Sequence, residues 1–298
     1  MVKLVDISLA CALAAACGLR AQENAPALFD GYASGFHHEV VMLQTLLDRQ
    51  HLSCNCIDGV WGPRTEIALL TWQTLRGLPA TGIPDAATLD ALGGTTNLFL
   101  RHTVSEADLA ALQTIPAEWE DRAALPSLGY ETIREMLAEK GHLSQRALER
   151  LRPGVAWPNP PPGTEVVLPD CTAAPLPKAG SVRVSLSRME VVVYNTNGVL
   201  TALFPCSIAA EQSRRPGGEL TVRALAPNPN YTYDPQLFFP GGPRTAKLIV
   251  PPGPNNPVGL AWISLSRQGY GIHGTPQPER IGRAESKGCF RLANWNAV

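Results

Sequence analysis

Hydrophobic positions recur every three or four residues in the first half of the chain and every second residue in the last third. Val40, Leu43, Leu46 and Leu47 share one face of a helix by that spacing. Asp58-Gly59 reads as a turn, and Pro63 suits the first turn of a second helix carrying Ile67, Leu70 and Trp72. After a turn at Thr81-Gly82, Asp85 caps a short helix with Leu89 and Leu92. These signals predict a small all-α module over residues 36–95. Residues 96–124 read as a connector. A small α+β module follows over 125–170, with helices near 131–140 and 144–151, the second capped by Ser144, and the strand "TEVVLP". After a linker at 171–180 the period drops to two. "VRVSLS" and "MEVVVYN" alternate, Asn197-Gly198 is a hairpin turn, and "VLTALFPCSIA", "ELTVRALAP" and "GLAWISLS" follow as strands. The pattern is that of a multidomain chain ending in a mainly-β, sandwich or barrel-like domain over 181–298. A proline-rich insertion from Pro227 to Pro257 crosses that domain and reads as a candidate lid.

The start of the chain has a different character. Lys3 precedes an apolar stretch from Ile7 to Leu19, too short to span a bilayer as a helix. It reads as a signal peptide over 1–21, with 22–35 as a linker, although Asp6 is unusual so close to the apolar stretch. The expectation is an exported protein of the periplasm or cell envelope, with no transmembrane segment in the mature chain. A lipid anchor on Cys17 is the alternative, but Leu13 lies one position too far from it for the usual lipobox. The net charge is −1, which gives no electrostatic case for nucleic acid or an anionic membrane surface. Nothing bears on oligomeric state. Of seven cysteines, Cys54, Cys56, Cys171, Cys206 and Cys289 lie beyond the signal region. An odd number leaves at least one free thiol, and the pairing of Cys54, Cys56, Cys171 and Cys206 stays open.

The chemistry concentrates in "IHGTPQPERIGRAESKGCFRL", residues 272–292. Of six histidines only His273 lies in the β-rich domain, which argues against a several-histidine zinc site there. No metal or cofactor is expected. An imidazole base acting in this domain is therefore His273. Cys289 is the nucleophile candidate, because a thiol with an ordinary pKa needs a neighbouring base to give thiolate at neutral pH. Gly288 lets a carbonyl approach the sulfur, and the amides from Lys287 to Cys289 can face an oxyanion. Arg291 alternates with Cys289 in an extended segment and so can hold a carboxylate or support the loop.

His273-Gly274, then Ser286, Gly288-Cys289 and Arg291, with "NWNA" after them, resemble the L,D-transpeptidase signature. One departure is Lys287, where a His is common; it can lower the thiol pKa electrostatically. The resemblance covers about 181–298, and relatives continue past this motif, so the domain is expected to be C-terminally incomplete. It implies a cysteine-dependent acyltransferase acting on peptidoglycan. Tetrapeptide stems donate the acyl group and release terminal D-Ala, and a diamino-acid stem accepts it. It also implies that the Gly274 carbonyl orients His273, and that carbapenems inhibit covalently. "LQTLL", "IDGVWGPRTEIALLTWQ" and "TGIPDAATLDAL" resemble a peptidoglycan-binding domain. The helix–helix–"PGTEVVLP" order resembles a LysM module, with Arg152 in place of the usual Asn and no clear first strand. The alternatives are an L,D-carboxypeptidase acting on the same stems and a catalytically inactive wall-binding protein. A papain-like protease would need a helix starting at the cysteine, and "CFRLANWN" offers none.

Overall fold

The computed structural model describes residues 3–6, 34–94, 96–239, 241–243 and 246–298. Its first element is a strand, β1 (Lys3–Asp6). Helices α1 (His38–Asp48), α2 (Pro63–Leu75) and α3 (Ala86–Ala91) form the first module. Pro63 opens α2, and the Asp85 side chain accepts from the Thr88 amide at the start of α3. Val40, Leu43, Leu46 and Leu47 are all buried, as their spacing predicts. On α2 the buried face is instead Ala68, Leu69 and Trp72, with Ile67 and Leu70 half-buried. The face shifts because the module's apolar side does not face water. Leu43, Leu47, Leu52, Leu69 and Trp72 share a core with Val192 and Leu203 of the β domain. Each such side chain, fully buried, contributes about 1.5–3 kcal/mol.

The segment read as a connector is structured. It holds β2 (Phe99–Thr103), α4 (Glu106–Ala110) and α5 (Trp119–Ala124). Helices α6 (Ile133–Lys140) and α7 (Gln145–Leu151) follow, capped by Thr132 and Ser144, and then β3 (Glu165–Pro169). Strand β2 pairs antiparallel with β3, so the first strand missing from the sequence reading lies inside the connector. Ile133, Leu137, Leu148, Val166 and Leu168 form this unit's core, joined by Val41 and Ile57 from the first module.

The β domain begins with β4 (Ala179–Ser185), β5 (Glu190–Asn195), β6 (Leu200–Pro205), β7 (Ile208–Ala209) and β8 (Glu219–Pro227). The insertion follows as β9 (Tyr231–Tyr233), α8 (Pro235–Phe238) and β10 (Leu248–Val250). Last come β11 (Ala261–Leu265), β12 (Gly271–His273), β13 (Ala284–Ser286), β14 (Phe290–Arg291) and α9 (Asn294–Ala297). Eight strands form one sheet in the order β14-β12-β11-β8-β1-β4-β5-β6. The chain just beyond β6 meets β14 again through paired Ser207–Arg291 backbone bonds of 2.9 and 3.0 Å, which closes the sheet on itself like a barrel. Residues 51–53 of the helical module bond along Leu203 and cover the exposed side of β6.

The structure also bears on the start of the chain and on the cysteines. Lys3–Asp6, inside the segment read as a signal peptide, pairs parallel with β4 and antiparallel with β8. Removing it would leave both strands with unpaired backbone groups along those positions. The apolar stretch from residue 7 onward, Cys17 and the linker lie outside the described residues, apart from Ser34 and Gly35. The five later cysteines are all free thiols: Cys54, Cys56 and Cys206 are buried, and none pairs with Cys171. No helix among the described residues is long and apolar enough to cross a membrane.

Candidate functional site

Strand β12 carries His273, and Cys289 immediately precedes β14. The two strands are parallel, with Ile272 opposite Phe290 and His273 opposite Arg291. Extending that register one step puts Gly271 opposite Cys289. Side chains alternate along a strand, so Ile272 and Phe290 point into the core, where both are buried. Cys289, Arg291 and His273 then share the other face, with Cys289 on the diagonal from His273 at about 7–8 Å between backbones.

His273 is only 5% exposed. Its Nδ1 donates to the Gly274 carbonyl at 2.6 Å, which leaves Nε2 as the unprotonated nitrogen. Burial pulls its pKa down to about 4, the Gly274 carbonyl opposing and the Arg291 charge adding to the fall, so the ring is neutral at physiological pH. Trp262 on β11 stacks on the imidazole with centroids 5.5 Å apart and fixes its plane. The Gly274 carbonyl is the one that the resemblance names for His273.

Cys289 is half-buried. Burial raises its pKa, while the Gly271 amide and the Arg291 charge lower it. In this conformation the thiol donates to the Gly269 carbonyl at 3.6 Å, so a rotation about its side-chain bond is needed to face the imidazole. The turn before it is held by Ser286, whose hydroxyl donates to the Cys289 carbonyl at 2.6 Å and accepts from the Gly288 amide at 3.3 Å. That corrects the expectation for Gly288: its amide is committed to Ser286 rather than open to an oxyanion. Glycine is required there for another reason. Its φ is +155°, and a Cβ would lie 2.9 Å from the Tyr270 ring.

The two cations also sort themselves. Arg291 faces Glu285 at 3.4 Å, and Glu285 is shared with Arg280 at 2.7 Å. It therefore supports the loop and charges the site. Lys287, expected to tune the thiol, instead donates to the Leu237 carbonyl of the insertion at 3.3 Å. The charge acting on Cys289 is that of Arg291. The insertion is anchored at its far end where Trp119 of α5 stacks on Tyr233 at 4.2 Å. Asn294, which opens α9 just after the motif, is buried and donates to Glu139 of α6. Only "NWNA" in the sequence pointed to it.

A half-buried thiol and a neutral imidazole with a fixed tautomer, on one face of adjacent strands, equip the site for cysteine-based acyl transfer. Residues 179–298 match the family model described as the L,D-transpeptidase catalytic domain, and residues 37–92 match the putative peptidoglycan binding domain. The chain thus carries an L,D-transpeptidase catalytic domain behind a peptidoglycan-binding domain. It is 29% identical over 164 residues to a putative L,D-transpeptidase YkuD of Bacillus licheniformis, across 55% of this chain and 82% of the relative. It is 27% identical over 206 residues to a probable L,D-transpeptidase ErfK/SrfK of Escherichia coli, across 66% of this chain and 64% of that protein. Among solved structures, L,D-transpeptidase 3 from Mycobacterium tuberculosis with a faropenem-derived adduct aligns at 16% identity with a TM-score of 0.30, over 46% of this chain and 68% of the other.

Proposed function

We propose that the chain is an L,D-transpeptidase that cross-links peptidoglycan stems through a Cys289 thioester. The observation that carries this reading is the parallel pairing of β12 with β14, which puts His273 and Cys289 on one face, with His273 Nδ1 tied to the Gly274 carbonyl. Nε2 of His273 takes the thiol proton. The thiolate attacks the carbonyl of the stem's third residue, and the amide to terminal D-Ala breaks. His273 returns the proton to the departing amine. The side-chain amine of a second stem then attacks the thioester, giving up a proton to His273, and the thiol is restored as the new amide forms. Arg291 opposes through its charge the rise that burial gives the Cys289 pKa, and Ser286 holds the turn. With the Gly288 amide engaged, the Cys289 amide is the oxyanion donor within that turn.

The N-terminal module docks the protein on the wall, and the β2–α6–α7–β3 unit is a LysM-like glycan reader. The enzyme works outside the cytoplasmic membrane, where its substrate lies. Purified disaccharide-tetrapeptide tests the reaction. A cross-linked dimer lacking one D-Ala, seen by mass spectrometry, is expected. Tripeptide alone would replace transpeptidation by hydrolysis, and no product would leave only wall binding.

A further inference from the structure

Glu139 lies on α6, outside the catalytic domain, yet its carboxylate reaches the end of the catalytic motif. Its two oxygens each accept from Asn294 Nδ2, at 3.1 and 3.2 Å, and Oε1 also accepts from the Tyr130 hydroxyl at 3.2 Å. Asn294 is 1% exposed. Its Nδ2 also donates to the Pro254 carbonyl at 3.2 Å, and its Oδ1 accepts from the Leu260 amide at 3.2 Å. A Cβ at Gly259 or at Gly274 would overlap that same Oδ1, so the amide is wedged between the loop entering β11 and the residue after His273. The Gly274 carbonyl is the acceptor that sets the His273 tautomer. The path from Glu139 to the imidazole therefore has two side chains and one peptide unit.

We propose that Glu139 is a positioning residue for His273. It acts through Asn294, which holds Gly274 at the place where its carbonyl orients the imidazole. The helical unit thereby completes the catalytic centre. This rests on the reading of His273 and Cys289 as base and nucleophile. A carboxylate so placed is costly to bury unless it is held by donors, and here one of its two donors, Asn294, belongs to the catalytic domain. Burial raises the Glu139 carboxyl to about 7, with Asn294 and Tyr130 lowering it, Glu135 raising it and His142 lowering it. The clamp weakens as that carboxylate takes a proton, because a neutral carboxyl accepts a hydrogen bond less strongly than an ionised one.

The test is the pH profile of Cys289 alkylation by iodoacetamide in the full chain, mapped by mass spectrometry. It needs no peptidoglycan. We expect an inflection near pH 7 in the native protein. Glu139→Gln leaves a neutral acceptor for Asn294 at every pH, so its alkylation rate at pH 8 should resemble that of the native protein below the inflection, and the inflection itself should be lost. Glu139→Ala should slow alkylation at pH 8 at least tenfold. Tyr130→Phe removes a bond to the same carboxylate without touching Asn294, and should lower thermal stability while leaving Cys289 reactivity within twofold. Equal effects of Glu139→Ala and Tyr130→Phe on reactivity, or no effect of Glu139→Ala, would overturn the clamp. His273→Gln is the separate control. If it leaves alkylation unchanged, the base assignment fails and the proposal falls with it; a large slowing there beside an inert Glu139→Ala sinks the clamp alone.

Discussion

Cys206 and Cys289 sit within a few residues of the same Ser207–Arg291 bridge, yet their surroundings are opposite. Cys206 is 0% exposed, packed among Val191, Ile208 and Phe290. Burial pushes its thiol far up, and the Glu190 carboxylate pushes the same way. Cys289 lies at the mouth of a strand, with a backbone amide and a guanidinium lowering what burial raises. Reactivity here is a property of the opening, the N–H and the cation, and not of the cysteine alone. The sharpest way to break the comparison is to delete each thiol. Cys289→Ala should abolish the carbapenem mass adduct and lower turnover about ten-thousandfold or more, the scale of losing a nucleophile. Cys206→Ala should leave the adduct intact and cost about 1–2 kcal/mol in urea unfolding, from the methyl-sized void. An adduct that survives Cys289→Ala would move the nucleophile elsewhere.

The next largest difference is in the backbone around the two sulfurs. Cys206 continues an ordinary strand, its amide bonding the Met189 carbonyl at 2.7 Å. Cys289 follows a turn that only glycine permits. Gly288→Ala places a methyl against Tyr270 and strains φ, costing about 1–3 kcal/mol. Because the displaced atoms include the sulfur, kcat/KM should fall about a hundredfold, the scale of an ångström-sized misplacement. Steady-state kinetics beside thermal unfolding checks both. A stability loss with unchanged kcat/KM would show that the turn does not aim the thiol.

The histidine adds a pH-dependent contrast. His273 is buried neutral, with its pKa held at about 4 against an ordinary 6.5. A base whose folded pKa is depressed contributes stability above its unfolded pKa and loses it as pH falls through the folded one. The native protein should therefore lose about 3 kcal/mol more than His273→Gln between pH 7 and pH 4. Paired urea titrations at the two pH values measure that difference directly. Parallel curves would place the imidazole in water.

What could be read from the sequence was what is local in it. His273-Gly274 and Ser286-to-Arg291 lie within twenty residues, and the β domain announces itself by period two. Strand β2 was missed because "FLRHT" is half-polar on both faces and no residue of it is fully buried. Lys3–Asp6 was read with the apolar run after it, since nothing local separates an inner strand from a leader. Glu139 and Asn294 lie 155 positions apart, and no spacing rule connects a helix of one unit to the end of another. The same limit misled the sequence reading about Lys287, whose partner in the insertion lies 50 positions away.

That last pair gives the smallest effect and the finest cut. Both Arg291 and Lys287 flank Cys289 in sequence, so either can be held responsible for opposing the rise that burial gives its pKa. Only the Arg291 guanidinium lies on the face shared with the thiol, and only its charge acts there. Arg291→Ala should raise the Cys289 pKa by up to about one unit, close to 1.4 kcal/mol, the usual reach of one partly screened charge. Lys287→Ala should move it by no more than about 0.2 units, since its Nζ points to the insertion and solvent screens what is left. Iodoacetamide rates across pH 6–10 resolve both shifts. If Lys287→Ala moved the thiol as far as Arg291→Ala, the contact with the Leu237 carbonyl would not be the side chain's working position.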